Sequence, residues 1–284
     1  MNLTDIGVIK QIQSEFGFEF SKGLGQNFLI NPSVSPRIAE YGCDENTGVI
    51  EIGAGFGVLT KELCIRAKRV VCIELDKKLL PVLKKTVPFD NLNVINEDIL
   101  KCDLSEIIRT HFSDIKKIAV CANLPYYITS PVIMKLLESK IPFESITVMV
   151  QKEAAERFCA ECGTRESGAV TYAVAYYSKP EILFGVSRGS FFPPPNVDST
   201  VIRLTLHKSP PVEVWDEPFF FSLIKAAFSQ RRKTFINSVS NGTDIPKSDI
   251  LSALQSLGIR EDIRPERLTL TQFADISNVL GGMK

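Results

Sequence analysis

Histidine is scarce in this chain of 284 residues, which contains only His111 and His207. Neither lies in a recognisable catalytic motif, although metal centres and acid–base catalysis use histidine more often than other residues. We therefore expect a reaction that needs neither a histidine nor a bound metal. The spacing of Cys159 and Cys162 is typical of zinc ligands, but no second Cys or His pair follows at a distance that would complete a structural site.

An excess of positive charge is also missing. Lys plus Arg and Asp plus Glu both total 33, so bulk charge gives no support for a nucleic-acid partner, and such a partner requires a local patch. One candidate patch is formed by Arg231, Arg232 and Lys233, three consecutive cations that follow an apolar run. They could bind RNA phosphates, or they could be the solvated end of a helix, where cations suit the helix dipole. The spacing alone leaves both interpretations open.

Long apolar runs are absent as well, because no stretch approaches the roughly 20 residues needed to span a bilayer. Residues 1–10 include Asp5 ahead of any apolar run and contain no small-residue cleavage site, so they do not resemble a signal peptide. The cysteines number seven, an odd count, and several lie in apolar surroundings, which suits reduced thiols. These features predict a cytoplasmic protein.

The rest of the chain alternates short β-branched runs with stretches of helical period, a pattern that predicts an α/β protein with helices on both faces of a mostly parallel sheet. Seven runs are predicted strands: 49–52, 69–74, 93–96, 118–122, 145–150, 181–186 and 200–206. Helical period marks 59–67, 77–86, 104–111, 131–138, 153–159, 217–230, 248–257 and 271–280, whereas 169–177 suits either state. Since strands stop after Leu206, we predict a large α/β domain over 1–207 and a small all-α domain over 208–284.

A glycine-rich segment follows the first predicted strand. Gly53, Gly55 and Gly57 stand at alternate positions before a predicted helix, where glycines let a ligand approach the backbone closely. In the dinucleotide fingerprint the third glycine comes three residues after the second, an arrangement that serves pyrophosphate binding. The alternate spacing in this chain therefore favours a ligand without pyrophosphate.

Acidic side chains follow at the ends of the next two predicted strands. Glu74 lies about 20 residues beyond Gly53, the position from which a carboxylate accepts hydrogen bonds from ribose hydroxyls. Asp98 ends the third strand and could accept from an adenine amino group. NAD and S-adenosylmethionine both carry the ribose, but the order of glycine turn, Glu74 and Asp98 favours S-adenosylmethionine. The competing interpretation is an ordinary strand-to-helix turn with solvated acids.

The fourth predicted strand leads into Asn123, Leu124, Pro125 and Tyr126, beyond the strand ends where open α/β sheets bind ligands. An adenine amine is a poor nucleophile because its lone pair is delocalised into the ring, and acceptors that hold its N–H groups redirect that lone pair. The Asn123 side chain and the Leu124 carbonyl can be those acceptors, and Tyr126 can stack on an extruded base. Tyr126→Phe should then be mild, since stacking needs only the ring. Taken alone, the tetrapeptide also fits a plain turn.

Together these motifs resemble the bacterial 16S ribosomal RNA adenine dimethyltransferases. The shared segments are 25–29, 51–53, 73–76, 97–98, 123–126, 151–153, 192–199 and 228–234. The resemblance implies a Rossmann-like class I methyltransferase that uses S-adenosylmethionine. It also implies that two methyl groups are added in succession to N6 of each of two adjacent adenosines near the 3′ end of 16S rRNA, in the assembling small ribosomal subunit.

The resemblance also implies roles for individual residues. It implies cofactor contacts from Asn27, Leu29, Gly53, Glu74, Asp98 and Asn123, to which the glycine turn adds Gly55. The catalytic residues are then Asn123, Leu124, Pro125 and Tyr126, and the RNA contacts are Arg231, Arg232 and Lys233.

On this interpretation 1–207 is the cofactor-binding catalytic domain and 208–284 an RNA-binding domain, and the protein is expected to be a monomer. The chain differs from many relatives at Ala54, Ser167 and Asn196. These differences affect the expected local RNA contacts but not the expected chemistry. Two alternatives stay open. One is a 23S rRNA adenine dimethyltransferase of the resistance type, and the other is a ribosome-assembly or transcription factor that uses the same fold without catalysis.

Overall fold

The computed structural model describes residues 1–17, 27–230 and 232–282. The chain divides into two compact units. The first unit consists of Met1–Ala155 and Pro180–Leu206, and the second consists of Glu156–Lys179 and His207–Lys284. Among the described residues, no helix combines the length and apolar character that crossing a membrane requires.

The described strands form a large sheet and a small one. They are β1 (Phe28–Leu29), β2 (Thr47–Ile52), β3 (Arg69–Ile73), β4 (Leu92–Ile95), β5 (Lys117–Asn123), β6 (Ser145–Gln151), β7 (Ser178–Val186), β8 (Phe191–Phe192) and β9 (Ser199–Leu206). The large sheet has the order β4-β3-β2-β5-β6-β9-β7. Its first five strands are parallel, and β9 runs antiparallel to β6. The prediction of a seven-stranded, mostly parallel sheet is confirmed.

The central strands are apolar along their length because both faces of a parallel sheet are covered. All six positions of β2 are buried, and β5 and β6 are buried at nearly every position. The small sheet pairs β1 with β8 and was not predicted. Each of its strands has two residues, which is too few to show a period of two.

Helices cover the sheet of the first unit. They are α1 (Ile6–Phe16), α2 (Val34–Gly42), α3 (Val58–Arg66), α4 (Leu80–Thr86), α5 (Leu104–His111) and α6 (Thr129–Glu138). The next helix, α7 (Lys152–Phe158), begins in the first unit and ends in the second. Ile38 of α2 and Leu63 of α3 pack against the sheet residues Val49 and Val70 in one buried cluster. Neither α1 nor α2 was predicted. The second contains a proline, and its Ser33 makes no side-chain cap, so a local start signal is missing there.

The second unit is helical. It contains α8 (Ala169–Tyr177), α9 (Glu217–Ala227), α10 (Phe235–Gly242), α11 (Lys247–Ser256) and α12 (Leu270–Gly282). The ambiguous segment 169–177 is therefore a helix. Tyr172 of α8 is fully buried among the aromatic side chains of this unit, and its hydroxyl donates to the carbonyl of Leu268 at 2.5 Å.

The boundary between the units differs from the predicted division at residue 207. Residues 156–179 were expected in the first domain but lie in the second unit. The physical reason is that Tyr172 and Tyr176 bury their rings in the core formed by α9 and α12. This contact joins residues that are far apart in sequence, and no local pattern encodes it.

Candidate active site

A cavity of about 270 Å³ lies in the first unit, at the carboxyl ends of β2, β3, β4 and β5. This is the edge at which open parallel sheets bind ligands. The structure brings every predicted catalytic and cofactor-binding residue to the wall of this cavity. These residues are Asn27, Leu29, Gly53, Gly55, Glu74, Asp98, Asn123, Leu124, Pro125 and Tyr126.

The glycine turn after β2 has backbone angles that favour glycine. Gly53, Gly55 and Gly57 have φ angles of +75°, +58° and +89°. A Cβ added to Gly57 would lie 2.3 Å from Val87, so this glycine serves packing. A Cβ added to Gly53 would meet no protein atom within 4 Å. Because Gly53 lines the cavity, the space beside it is open to a ligand.

Glu74 joins the glycine turn to the end of β3. Its side chain is 6% exposed, and its two carboxylate oxygens accept from the amides of Gly55 at 3.1 Å and Asp76 at 2.8 Å. Burial raises its pKa, and these two hydrogen bonds oppose that shift. Each oxygen has a second lone pair, so the carboxylate can still accept from the hydroxyls of a ligand.

Two buried polar side chains that were not predicted as site residues also line the cavity, Glu51 of β2 and Ser35 of α2. Each is 1% exposed, and neither Oε2 of Glu51 nor Oγ of Ser35 has a hydrogen-bond partner among the described residues. Unpaired buried oxygens are costly, so they point to a ligand or water that completes them. The site thus offers two unpaired polar oxygens to a ligand. In the sequence, Glu51 could have been recognised as a charged residue inside the otherwise apolar run 49–52.

Asp98 and Asn27 approach the cavity from the loop after β4 and from the start of β1. One oxygen of Asp98 accepts from the Leu100 amide at 2.9 Å, which leaves its other oxygen for a ligand. Asn27 and Leu29 flank Phe28, whose ring stacks on Phe56 of the glycine turn with centroids 4.0 Å apart. Gly25 and Gln26, which begin the same family segment, lie outside the described residues.

The tetrapeptide begins at the last residue of β5 and continues into a 3₁₀ turn, Tyr126–Ile128. The Leu124 amide donates to the carbonyl of Met149 in β6 at 3.2 Å, and the Pro125 carbonyl accepts from the Ile128 amide at 3.2 Å. These bonds hold the backbone of the segment. Within the described part of the chain, the side chain of Asn123 and the carbonyl oxygen of Leu124 have no hydrogen-bond partner. Both are therefore available to hold donors in the cavity.

The predicted RNA contacts lie in the second unit. Arg231 is outside the described residues, whereas Arg232 and Lys233 are exposed in the loop between α9 and α10. The next residue, Thr234, is the N-cap of α10. A helix N-terminus does not attract cations, and α9 ends at Ala227, so the dipole explanation for this run loses its basis.

Cys159 and Cys162 lie in the second unit, and both are half-buried. No group of three or more metal-ligating side chains comes together within the residues that the structure describes. Burial raises the pKa of Cys159 to about 11 and that of Cys162 to about 12. Both side chains are therefore protonated thiols at neutral pH in the metal-free protein.

Comparison with known proteins identifies similar sequences over almost the whole chain. The model of a family described as ribosomal RNA adenine dimethylase matches residues 17–281. The protein named Ribosomal RNA small subunit methyltransferase A from Anoxybacillus flavithermus is 46% identical over 278 residues, which cover 95% of this chain and 94% of that protein. The protein of the same name from Geobacillus thermodenitrificans is 45% identical over 281 residues, which cover 96% of this chain and 95% of that protein.

Two solved structures are similar along most of their length. A dimethyladenosine transferase from Plasmodium falciparum has a TM-score of 0.74 and 28% identity, covering 89% of this chain and 98% of that chain. The 23S rRNA methyltransferase ErmE has a TM-score of 0.67 and 25% identity, covering 90% and 100%. Sequence identity is thus much higher to the small-subunit enzymes than to the 23S enzyme.

The buried Glu51 predicts a pH dependence of stability for the cofactor-free protein. Burial raises its pKa from 4.5 to about 8, with the Glu74 charge adding to the shift and the Thr60 hydroxyl opposing it. The folded state therefore holds this proton more tightly than the unfolded chain, so the stabilising contribution is complete below the unfolded pKa and is lost as pH rises through the folded one. Between roughly pH 5 and 8, Glu51→Gln should gain stability relative to the wild type by about 1 kcal/mol or more.

Urea unfolding at several pH values measures this difference. Glu40→Gln, which changes an exposed glutamate of α2, is the matched control and should follow the wild-type curve. Parallel pH curves for the wild type and Glu51→Gln would show that Glu51 does not hold a proton in the folded state.

Proposed function

The chain belongs to the ribosomal RNA adenine dimethylase family, and we infer that it dimethylates adenines of ribosomal RNA with methyl groups from S-adenosylmethionine. The observation that supports this most directly is the single cavity that holds the glycine turn, both strand-end acids and the tetrapeptide. A non-catalytic protein of the same fold would have no reason to retain all of these groups around one cavity.

We propose that the substrate is 16S rRNA in the small ribosomal subunit, with two adjacent adenosines near the 3′ end as targets. The relatives named for the small subunit are 45–46% identical to this chain, whereas ErmE is 25% identical. The proposed setting is the cytoplasm, where small subunits assemble, and the proposed acting form is a monomer.

Cofactor binding is assigned to the groups around the glycine turn. Glu74 would accept hydrogen bonds from the ribose hydroxyls, and Asp98 would accept from the adenine amine. The backbone at Gly53 and Gly55 would lie against the ligand, because the cavity is open beside Gly53. Asn27, Leu29 and Asn123 would complete the contacts. S-adenosylmethionine supplies the electrophilic methyl group when it is bound.

We assign binding of the target base to the tetrapeptide at residues 123–126. The Asn123 side-chain oxygen and the Leu124 carbonyl, which have no partner within the described residues, would accept from the two N–H groups of the adenine amine. Pro125 fixes the backbone of the turn, and the ring of Tyr126 would stack on the flipped base. Stacking contributes roughly 1–3 kcal/mol per base, which is comparable with the cost of extruding it.

The second unit is assigned to RNA binding. Arg232 and Lys233 are exposed in a loop where no helix dipole explains them, and phosphate contacts would give that position a function. Arg231 belongs to the same run and is proposed as a third contact. Acidic and basic residues balance over the whole chain, so RNA binding needs such a local group.

The function is tested by incubating the protein with unmethylated small subunits and labelled S-adenosylmethionine, followed by mapping of the modified bases. The expected result is dimethyladenosine at two adjacent positions near the 3′ end of 16S rRNA. Large subunits serve as the control and should take up no label. Label in 23S rRNA instead of 16S rRNA would replace the proposed substrate with that of the resistance-type enzymes.

The tetrapeptide is tested by Asn123→Ala. Loss of one preorganised hydrogen bond that strengthens in the transition state costs about 10²–10³ in rate, so single-turnover methylation should fall by that factor with little change in RNA affinity. Affinity for S-adenosylhomocysteine is measured separately, because Asn123 also borders the cofactor position. Methylation at the wild-type rate with saturating cofactor would remove Asn123 from the catalytic assignment.

The RNA patch is tested by the double variant Arg232→Ala/Lys233→Ala. Each lost phosphate contact should weaken RNA binding and lower the slope of log K against log salt by about 0.7–0.9. Lys208→Ala/Lys225→Ala removes two exposed cations from the same unit and is the matched control for net charge. Equal affinities and equal salt slopes for the two variants would show that this loop is a solvated surface without RNA contacts.

A further inference from the structure

The hydroxyl of Tyr126 is hydrogen-bonded to a buried serine far along the chain. Its oxygen lies 2.8 Å from Oγ of Ser199, which is 1% exposed. We propose that Ser199 is a positioning residue, whose hydroxyl holds the Tyr126 ring in the orientation that receives the target base. This proposal rests on the stacking role assigned to Tyr126 above.

The backbone around Ser199 makes it a rigid anchor. Ser199 is the first residue of β9 and lies opposite Gln151 of β6 in the antiparallel register. The carbonyl of the preceding residue, Asp198, accepts from the Lys152 amide at 3.0 Å, and its carboxylate accepts from the Arg188 amide at 2.9 Å. The backbone at Ser199 is thus held to β6 and to Arg188, which fixes the position from which its hydroxyl reaches Tyr126.

The hydroxyl contact with Ser199 is the side-chain hydrogen bond that the structure shows for Tyr126. Tyr126 opens a 3₁₀ turn of three residues and is half-buried, and the next residue, Tyr127, is 55% exposed. Among the described residues, no aromatic ring stacks on Tyr126. A free ring face is what an incoming base requires, and the hydroxyl contact fixes the plane of that face before the base arrives. Preorganisation of this kind is sensitive to small errors in angle.

The same hydroxyl is unsuited to acid–base work at neutral pH. Burial raises the pKa of Tyr126, the hydrogen bond to Ser199 opposes the shift, and the charge of Asp198 adds to it. The phenol therefore stays protonated in the pH range of the reaction and takes no proton from the amine. If its contact with Ser199 sets the orientation of the ring, Tyr126→Phe should lower the rate even though the stacking ring is kept.

The test compares single-turnover methylation of unmethylated small subunits by Ser199→Ala, Tyr126→Phe and the double variant. Each single variant removes one partner of the hydrogen bond, so each should lower the rate roughly 2- to 10-fold. The double variant should be no slower than the slower single variant, because both changes remove the same contact. A merely structural role for Ser199 would instead add to the effect of Tyr126→Phe.

Rescue and control variants separate orientation from general damage to the fold. Ser199→Thr keeps the hydroxyl and should restore most of the rate. Ser145→Ala changes a buried serine of β6 that does not line the cavity and should methylate at the wild-type rate. If Ser199→Ala does not fold, Tyr126→Phe and Ser199→Thr still test the contact, since Tyr126→Phe removes it without altering β9.

The outcomes distinguish this proposal from the proposed function. Tyr126→Ala should lower the rate more than Tyr126→Phe, because it also removes the stacking ring. If Tyr126→Ala methylates normally, the assignment of the tetrapeptide fails. If Tyr126→Ala is slow while Ser199→Ala and Tyr126→Phe are both at the wild-type rate, or if their effects add in the double variant, the positioning role of Ser199 is overturned and the proposed function stands.

Discussion

The hydrogen bonds made by the buried carboxylate of Glu74 hold the active-site edge of the sheet together. One oxygen accepts from the amide of Gly55 and the other from the amide of Asp76, so a single side chain ties the turn after β2 to the end of β3. A buried carboxylate requires such donors, because desolvation disfavours its charged form. The position of the glycine turn therefore depends on Glu74, and the open space beside Gly53 depends on that turn.

Two of the four unpaired buried side-chain oxygens in the described residues line this cavity, at some cost in stability to the empty protein. Oγ of Ser35 and Oε2 of Glu51 both face it without partners in the described part of the chain. An apolar side chain at either position would give a more stable empty protein, since an unsatisfied buried acceptor costs about 1–3 kcal/mol. Binding of a ligand with donors at these points would recover that free energy.

Most of what the sequence predicts has a local signal, and most of what it misses depends on contacts between distant residues. Buried parallel strands produce continuous apolar runs, and ligand groups at their carboxyl ends follow from topology, so the large sheet and the position of Glu74 could both be predicted. The helix α1 was missed although its start and end signals, Asp5 and Gly17, are present. The inclusion of 156–179 in the helical unit depends on Tyr172 and residues almost a hundred positions later. The contact between Tyr126 and Ser199 likewise spans 73 positions, and no period or motif encodes it.

The choice of neutral acceptors at the proposed reaction centre has a physical reason. The cavity has carboxylates at Glu74 and Asp98, but the groups that we assign to the target amine are an amide, Asn123, and a backbone carbonyl, Leu124. The amine gains positive charge as it is methylated, so its N–H groups become stronger donors and its bonds to these oxygens strengthen in the transition state. A carboxylate at the same place would also accept from the amine, but its charge would have to be desolvated in the cavity. Fixed neutral dipoles stabilise the charge that develops on the amine at a smaller desolvation cost.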